Sequence, residues 1–300
     1  MAFQLTTQSD ISALTIALTE SALSSLQNES MFAPGGPLHE LMWTKNLPLG
    51  SKSDQFNRMN SQTAYGATDG VDVVTSGKLS PSGTAVTAAE VVCIVTLTDY
   101  GQAGSIDSLS GHAGKEIGFA MGNKWDLDVM ALFASLTAGG STTADLDILD
   151  IQTAVQALYV AKHPGPYWSI IHPSCWQHLL AETSMTIGSS SGGFGTIEEN
   201  IMGSYWQIAS PLMGSYFMVS NNVPSATLGA DRSNAMLGRD PAIGCVIQTE
   251  PRSGSGRWLN RINLQVDESL RATEAVCSSS YGVGVIDSTA GINVLADYEA

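Results

Sequence analysis

The chain is 300 residues long, which at about 150 residues per domain predicts two domains or one large irregular one, with core enough to fold without disulfide or metal staples. Its 13 basic and 28 acidic residues leave a net charge of −15, and without a basic patch this excludes wrapping around nucleic acid by counterion displacement. Charged residues are only 14%, against about 25% in soluble domains, so much of the surface is small and neutral, as suits a chain that buries its exterior against copies of itself.

The four cysteines, Cys93, Cys175, Cys245 and Cys277, are far apart and form no C-x-x-C. They read as reduced, mostly buried thiols in a reducing compartment. No apolar run reaches the ~18 residues that cross a bilayer. The first residues, MAFQLTTQSD, lack the basic and apolar regions of a signal peptide, so a chain cytosolic where it is made, with no membrane partner, is expected.

Residues 10–27 predict an amphipathic helix. Asp10 is its N-cap, and Ile11, Leu14, Leu18, Ala22 and Leu26 form a narrow stripe. Pro34, Gly35, Gly36, Pro37 and Pro48 then break regular structure. The first 50 residues read as a helix on an extended arm whose stripe is buried elsewhere, on a neighbouring chain. Residues 51–90 are polar and rich in Gly, Ser and Thr, with short β-like runs at Phe56–Tyr65 and Val71–Thr75. They predict a long hairpin too poor in apolar residues for its own core.

The β-branched run Val91–Thr98 predicts a strand buried on both faces. After Asp99-Tyr100-Gly101, a helix capped by Asp107 or Ser108 is predicted to run to Leu136, about 28 residues and about 42 Å. Its expected stripe is Ile117, Met121, Lys124, Leu127 or Asp128, Ala131 and Ala134, widened by Trp125, Leu132 and Phe133. Gly111, Gly114, Gly118 and Gly122 cost it about 1 kcal/mol each relative to Ala but let another backbone approach closely. Gly139-Gly140 ends the stretch.

An α/β region follows. It has a helix over 150–162, a strand at Tyr167–His172, a second helix opened by Pro173 and running to Glu182, and a low-complexity Gly/Ser loop over 183–195. Short strands are predicted at Ile208–Pro211 and Tyr216–Ser220. From Ala235 onward the pattern is β-rich, with strands at Cys245–Thr249, Trp258–Val266, Ser280–Ile286 and Gly291–Ala296. Thr273–Val276 reads either as a continuation of a strand or as a separate turn. There is no fixed-period repeat.

Catalytic and binding motifs were weighed against this background. Gly188-Ser189-Ser190-Ser191-Gly192 fits G-x-S-x-G, but it lies in GSSSGGFG rather than between a strand and a helix, so Ser190 is not assigned as a nucleophile. GxGxxG and P-loop patterns are absent. His172 and His178 are six apart, not at the i, i+4 spacing of helical ligands, and His39, His112 and His163 complete no metal set. Asp145, Asp147 and Asp150 read as helix N-terminal charges; Glu198 and Glu199 read as solvated neighbours. The six tryptophans are dispersed and read as packing residues. No catalytic, cofactor-binding or metal-binding residue is assigned, and no cofactor is expected.

The order of these pieces is distinctive: arm, unsupported hairpin, strand, long helix, α/β region, β-rich return. The segment Val91–Leu136, with its LTDYG link, resembles the peripheral strand and spine helix of tailed-bacteriophage major capsid proteins with the HK97-like fold, relatives of the P22 and N4 coat types. The tail, Tyr281-Gly282-Val283-Gly284-Val285-Ile286-Asp287 and then Gly291-Ile292-Asn293-Val294-Leu295-Ala296-Asp297, resembles that family's closing β-segments.

The resemblance implies an α+β chain with an N-terminal arm over 1–50, an E-loop over 51–90, a peripheral domain from 91–140 and 235–300, and an axial domain over 141–234. It implies a non-enzymatic shell subunit that self-assembles through pentamers and hexamers into an icosahedral head. Scaffolding, portal and cement proteins are its implied partners, and double-stranded DNA is packaged without specific binding. The implied location is the virion, assembled in the host cytoplasm. Net acidity suits a shell that must release its DNA. Lys52 and Lys78 lie in the E-loop span, but no acceptor or acidic catalyst matches them, so crosslinking is not predicted. An encapsulin-like nanocompartment is the alternative with the same fold, and a hydrolase using the Ser190 region is a third.

Overall fold

A computed structural model of the chain describes residues 20, 22, 24, 30–48, 50–59, 62, 64–72, 78–98, 109–141, 144–179, 199–202, 205–208, 214–226, 231–248, 262–267 and 271–297. Two sheets and one hairpin are arranged around a long helix, α1 (Leu109–Met130).

Burial along α1 follows Ala113, Ile117, Met121, Trp125 and Val129, a strict i, i+4 ladder, and Phe133 continues it in a 3-10 turn over Ala131–Ser135. A ridge of this kind is inclined to the helix axis by about 26°, so the helix crosses what it packs on obliquely. The stripe expected from sequence drifts off this ladder. Lys124, Ala131 and Ala134 are exposed, as is Leu127, whereas Trp125 and Val129 carry the burial. At 22 residues the helix is about 33 Å long, shorter than expected, because its last turn tightens and the chain then enters a strand.

The first sheet has five strands. Its order is β1 (Met42–Leu47), β11 (Ile243–Gln248), β13 (Ala272–Val285), β12 (Asn263–Asp267), with β4 (Ala89–Thr98) on the other side of β13. Thr273–Val276 is thus part of one continuous 14-residue strand. β4 is not buried on both faces, as its unbroken apolar run suggests. Val91, Cys93, Val95 and Leu97 face the core, while Val92 and Ile94 are 48% and 57% exposed.

The second sheet runs β5 (Thr137–Gly140), β14 (Gly291–Ala296), β10 (Arg232–Leu237), β6 (Tyr167–Ile171), β9 (Ser215–Val219), β8 (Tyr205–Ile208), β7 (Glu199–Met202). Gly139 and Gly140 therefore do not simply end the helical stretch. They pair in parallel with Val294 and Leu295. Gly140 sits at φ 71°, and a side chain there would strike the Leu295 backbone. Gly291–Ala296 falls in the span expected for the peripheral domain, yet it pairs within this second sheet.

One face of this sheet packs on α2 (Ile148–Val160) and on the helical stretch 173–179, through Ile151, Ala154, Leu158 and Trp176 against Phe217, Met236 and Val294. The other face, with Ile170, Met218, Ala235 and Leu237, joins the main core around α1. The rest of the predicted second helix and the Gly/Ser loop lie outside the described residues, as do 209–213 and 249–261, which include parts of three other expected strands.

The hairpin pairs β2 (Ser53–Met59) with β3 (Pro81–Thr87), and residues 73–75 of the β-like run at Val71–Thr75 lie outside the described residues. Polar Ser, Gly and Thr residues hide β3 from a hydrophobicity reading. Trp125→Ala, at the centre of the α1 ladder, is expected to lower unfolding stability by about 3–5 kcal/mol, measured by urea denaturation.

Candidate functional site

The residues weighed as catalytic or metal-binding are not brought together. His172 Nδ1 lies 2.5 Å from Ser174 Oγ, and the His172 backbone amide donates to Asn234 Oδ1. Burial, helped by Arg232, holds this imidazole below its ordinary value against a hydrogen bond to the Asn221 side chain. His178 is instead 3.5 Å from Asp145, His39 lies against the Phe32 carbonyl and Thr44, and His112 is exposed. Among the described residues no group of three His, Cys, Asp or Glu side chains is placed to hold a metal ion. Ser190 and Glu198 lie outside the described residues.

Asp147 caps α2 by accepting from the Leu149 amide, while Asp150 accepts from the Asp147 amide, so these carboxylates serve the helix start as the sequence indicated. The four cysteines form no disulfide. Cys175, Cys245 and Cys277 are buried, and burial pushes the Cys245 and Cys277 thiols up to about 12, well away from the reactive thiolate. Trp125 stacks on Tyr281 at 4.0 Å and Trp176 packs on Phe217 at 5.8 Å, both as packing residues. Lys52 and Lys78 are exposed on the hairpin span.

What the fold does present is surface for other chains, bounded by what the chain covers itself. The N-terminal segment is covered. Met31, Phe32, Ala33 and Leu38 are fully buried on the same chain, and Ala22 lies so close to α1 that a Cβ on Gly118 would strike its carbonyl. Of the predicted stripe only Ala22 is described, and it is buried on the same chain; Ile11, Leu14, Leu18 and Leu26 lie outside the described residues. At Gly118, one of the four glycines expected to allow it, another backbone does approach closely.

The anchor is Asp126, a residue the sequence reading missed. It stands inside the buried side of α1 and is 1% exposed. Its carboxylate accepts from Ser30 Oγ at 2.8 Å, the Met31 amide at 2.9 Å and the Phe32 amide at 3.0 Å. A lone acid between buried Gly122 and Met130 was the available signal.

Two regions are left uncovered. Among its described residues the hairpin buries only Phe56 and Val86, at its base, and residues 64–72 and 78–80 are exposed. On β4, the outward Val92 and Ile94 form an apolar face. Among the described residues β4 pairs only with β13, and no described strand lies along its far edge. The outer side of α2 adds exposed Leu149, Tyr159 and Val160.

No protein-family model matches the chain, and no curated protein matches it by sequence. Solved structures do match in fold. The capsid of cyanophage P-SCSP1u superposes with a TM-score of 0.63 at 16% identity, covering 87% of this chain and 88% of that one. The holo-SrpI encapsulin complex from Synechococcus elongatus gives 0.61 at 11% identity over 88% and 89%. The capsid of a native GTA particle gives 0.60 at 11% over 88% and 90%. The chain therefore has the α+β, HK97-like fold that its order of elements resembles.

Burial pushes the Asp126 carboxyl up to about 6, against the three hydrogen bonds that pull it down. Between its ordinary value near 3.8 and about 6, the native state keeps a proton that the unfolded chain has released. The stability from this group is present at low pH and lost as pH rises through about 6. Relative to Asp126→Asn, the wild-type chain is expected to gain unfolding stability from pH 7 to pH 4.5 in matched urea titrations. A difference that stays flat with pH would show that the carboxyl titrates normally.

Proposed function

We propose that the chain is a shell subunit, the major capsid protein of a tailed phage, which self-assembles into an icosahedral head around double-stranded DNA. The observation that carries this reading is the shared fold over almost nine-tenths of the chain, in proteins that are themselves shell components. The surface supports it. A chain with 14% charged residues leaves an apolar strand face, an open sheet edge and a projecting hairpin uncovered. Monomers rarely leave such surface bare.

In this reading the hairpin, within 51–90, is the E-loop, and residues 1–50 contain the N-terminal arm. The five-stranded sheet with α1 forms the peripheral part, and the seven-stranded sheet forms the axial part at the five- and six-fold centres. Many modest contacts per subunit act together, so the shell is held by multivalency rather than by one strong interface. Scaffolding, portal and cement proteins are further partners in this reading, the role is non-enzymatic, and the chain resides in the virion after assembly in the host cytoplasm. Net charge of −15 suits a wall that holds DNA without binding it specifically.

Negative-stain microscopy of the expressed chain, with and without a co-expressed scaffold, is expected to show closed particles of uniform size. A chain that stays monomeric in both would sink the proposal. The second reading, an encapsulin-like compartment, is favoured by the comparable match to the Synechococcus encapsulin. Particle contents separate the two: nuclease-protected DNA supports the head, and a protein cargo supports the compartment.

The β4 face offers a sharper test. Val92→Glu combined with Ile94→Glu puts charge on side chains already half in water. Circular dichroism of the subunit is expected to be unchanged while the yield of closed particles falls at least tenfold. Normal particle yield would remove this face from the assembly contacts.

A further inference from the structure

The base of the hairpin rests on a floor of glycines. Gly244 of β11 and Gly284 of β13 are register partners. A Cβ on Gly244 would press on the Phe56 ring, one on Gly284 on Val86, and one on Gly282 would strike the Thr87 carbonyl. Phe56 and Val86, the two buried side chains of the hairpin, therefore sit where the sheet has no side chains. Beside this seat, Lys45 of β1 pairs with Asp54 at 3.2 Å and donates to the Gln55 carbonyl. All of these contacts lie near one end of β2, and alone they act as a pivot.

A second attachment lies further out. Arg58, two residues beyond Phe56 and so about 7 Å along the strand, forms an ion pair with Asp287 in the turn between β13 and β14. The Asp287 side chain is 7% exposed and that of Arg58 43%. The carboxylate is built into the body. It accepts from the Thr289 amide at 3.0 Å and the Thr289 hydroxyl at 2.7 Å. His163 Nε2 is 3.7 Å away, and its Nδ1 lies 2.9 Å from Asp240. Burial pushes the Asp287 carboxyl up, but Thr289 and the Arg58 guanidinium outweigh it and hold the group below the usual carboxylate range. Asp287 is thus a fixed, ionised receptor at the junction of the two sheets.

Two points of attachment fix an angle where one does not. We propose that the Arg58–Asp287 pair is a releasable lock that sets the direction in which the hairpin leaves the body, with the glycine floor as its pivot. The apolar seat keeps the hairpin attached when the lock opens. The half-exposed arginine is the part that opens, since water can replace its partner while Asp287 keeps its bonds to Thr289.

Hydrogen exchange on the full-length unassembled chain tests the lock. Arg58→Gln is expected to speed exchange of the β2 and β3 amides by roughly fivefold, as suits a partly exposed ion pair, while β6 and β13 stay unchanged. Asp287→Asn is expected to do the same to the hairpin, and the double variant to do no more than either alone. Added salt is expected to bring the wild type towards Arg58→Gln and to leave that variant unaffected. Unchanged hairpin exchange in Arg58→Gln, or strictly additive effects in the double variant, would overturn the lock. If Asp287→Asn fails to fold, Arg58→Gln and the salt series decide. The lock lies within one chain, so its failure leaves the shell reading standing, and the absence of shells leaves the lock standing.

Discussion

The oblique ladder of α1 is the constraint against which the rest of the molecule is set. Trp125 lies on the Tyr281 ring, and the Tyr281 hydroxyl donates to Asp128 at 2.8 Å, so helix and five-stranded sheet meet through both an apolar and a polar contact. Burial and Asp128 together push that phenol far above its ordinary range and keep it a donor. The same helix continues through Phe133 towards Leu136, which lies against Gly291 and joins the core beneath the seven-stranded sheet. One helix thereby gives the two sheets a common reference. The N-terminal segment is referred to it as well, through Asp126 and Gly118.

That arrangement sorts the surface into what the chain covers and what it leaves. Core-facing positions on β4 pack into the core around the helix, and of the alternate positions Val92 and Ile94 are apolar and exposed, between Glu90 and Thr96. The glycine floor works in the other direction. By removing side chains from Gly244, Gly282 and Gly284, the sheet seats the base of a hairpin that has no core of its own. A subunit built this way is stable at its centre and unfinished at its margins, which is the physical content of the shell reading.

The legible parts of this architecture had strong local signals. The β-branched run of β4, the long helical stretch and Gly291–Ala296 were placed from pattern alone. The illegible parts each had a competing signal. Gly139-Gly140 read as a terminator because the parallel partner that uses glycine lies more than 150 residues away in sequence. β1 was hidden between prolines, and its pairing with β11 is likewise long-range. The α1 stripe was drawn through Lys124 and Ala131, because small and long residues alternate closely enough to fit more than one winding. Apolar continuity in β4 was read as burial on both faces, since a sequence cannot distinguish a covered face from one awaiting cover. The exposed apolar pair on β4 was legible only as a general shortage of charge, and its location required the alternation of Val91 to Leu97 to be seen in place.

If the chain is the shell subunit proposed above, the far side of β4 has a cost outside the finished particle. β4 is paired along one side by β13, and no described strand covers its other side, so with Val92 and Ile94 exposed beside it that margin is a template on which an extended peptide could add a strand. Newly made copies therefore enter a race between productive association and indiscriminate sticking. Both outcomes accelerate with concentration, and only the productive one saturates when a shell closes. Rate of supply, and whatever shields that margin in the interval, would then govern how much of the polypeptide is rescued from precipitation.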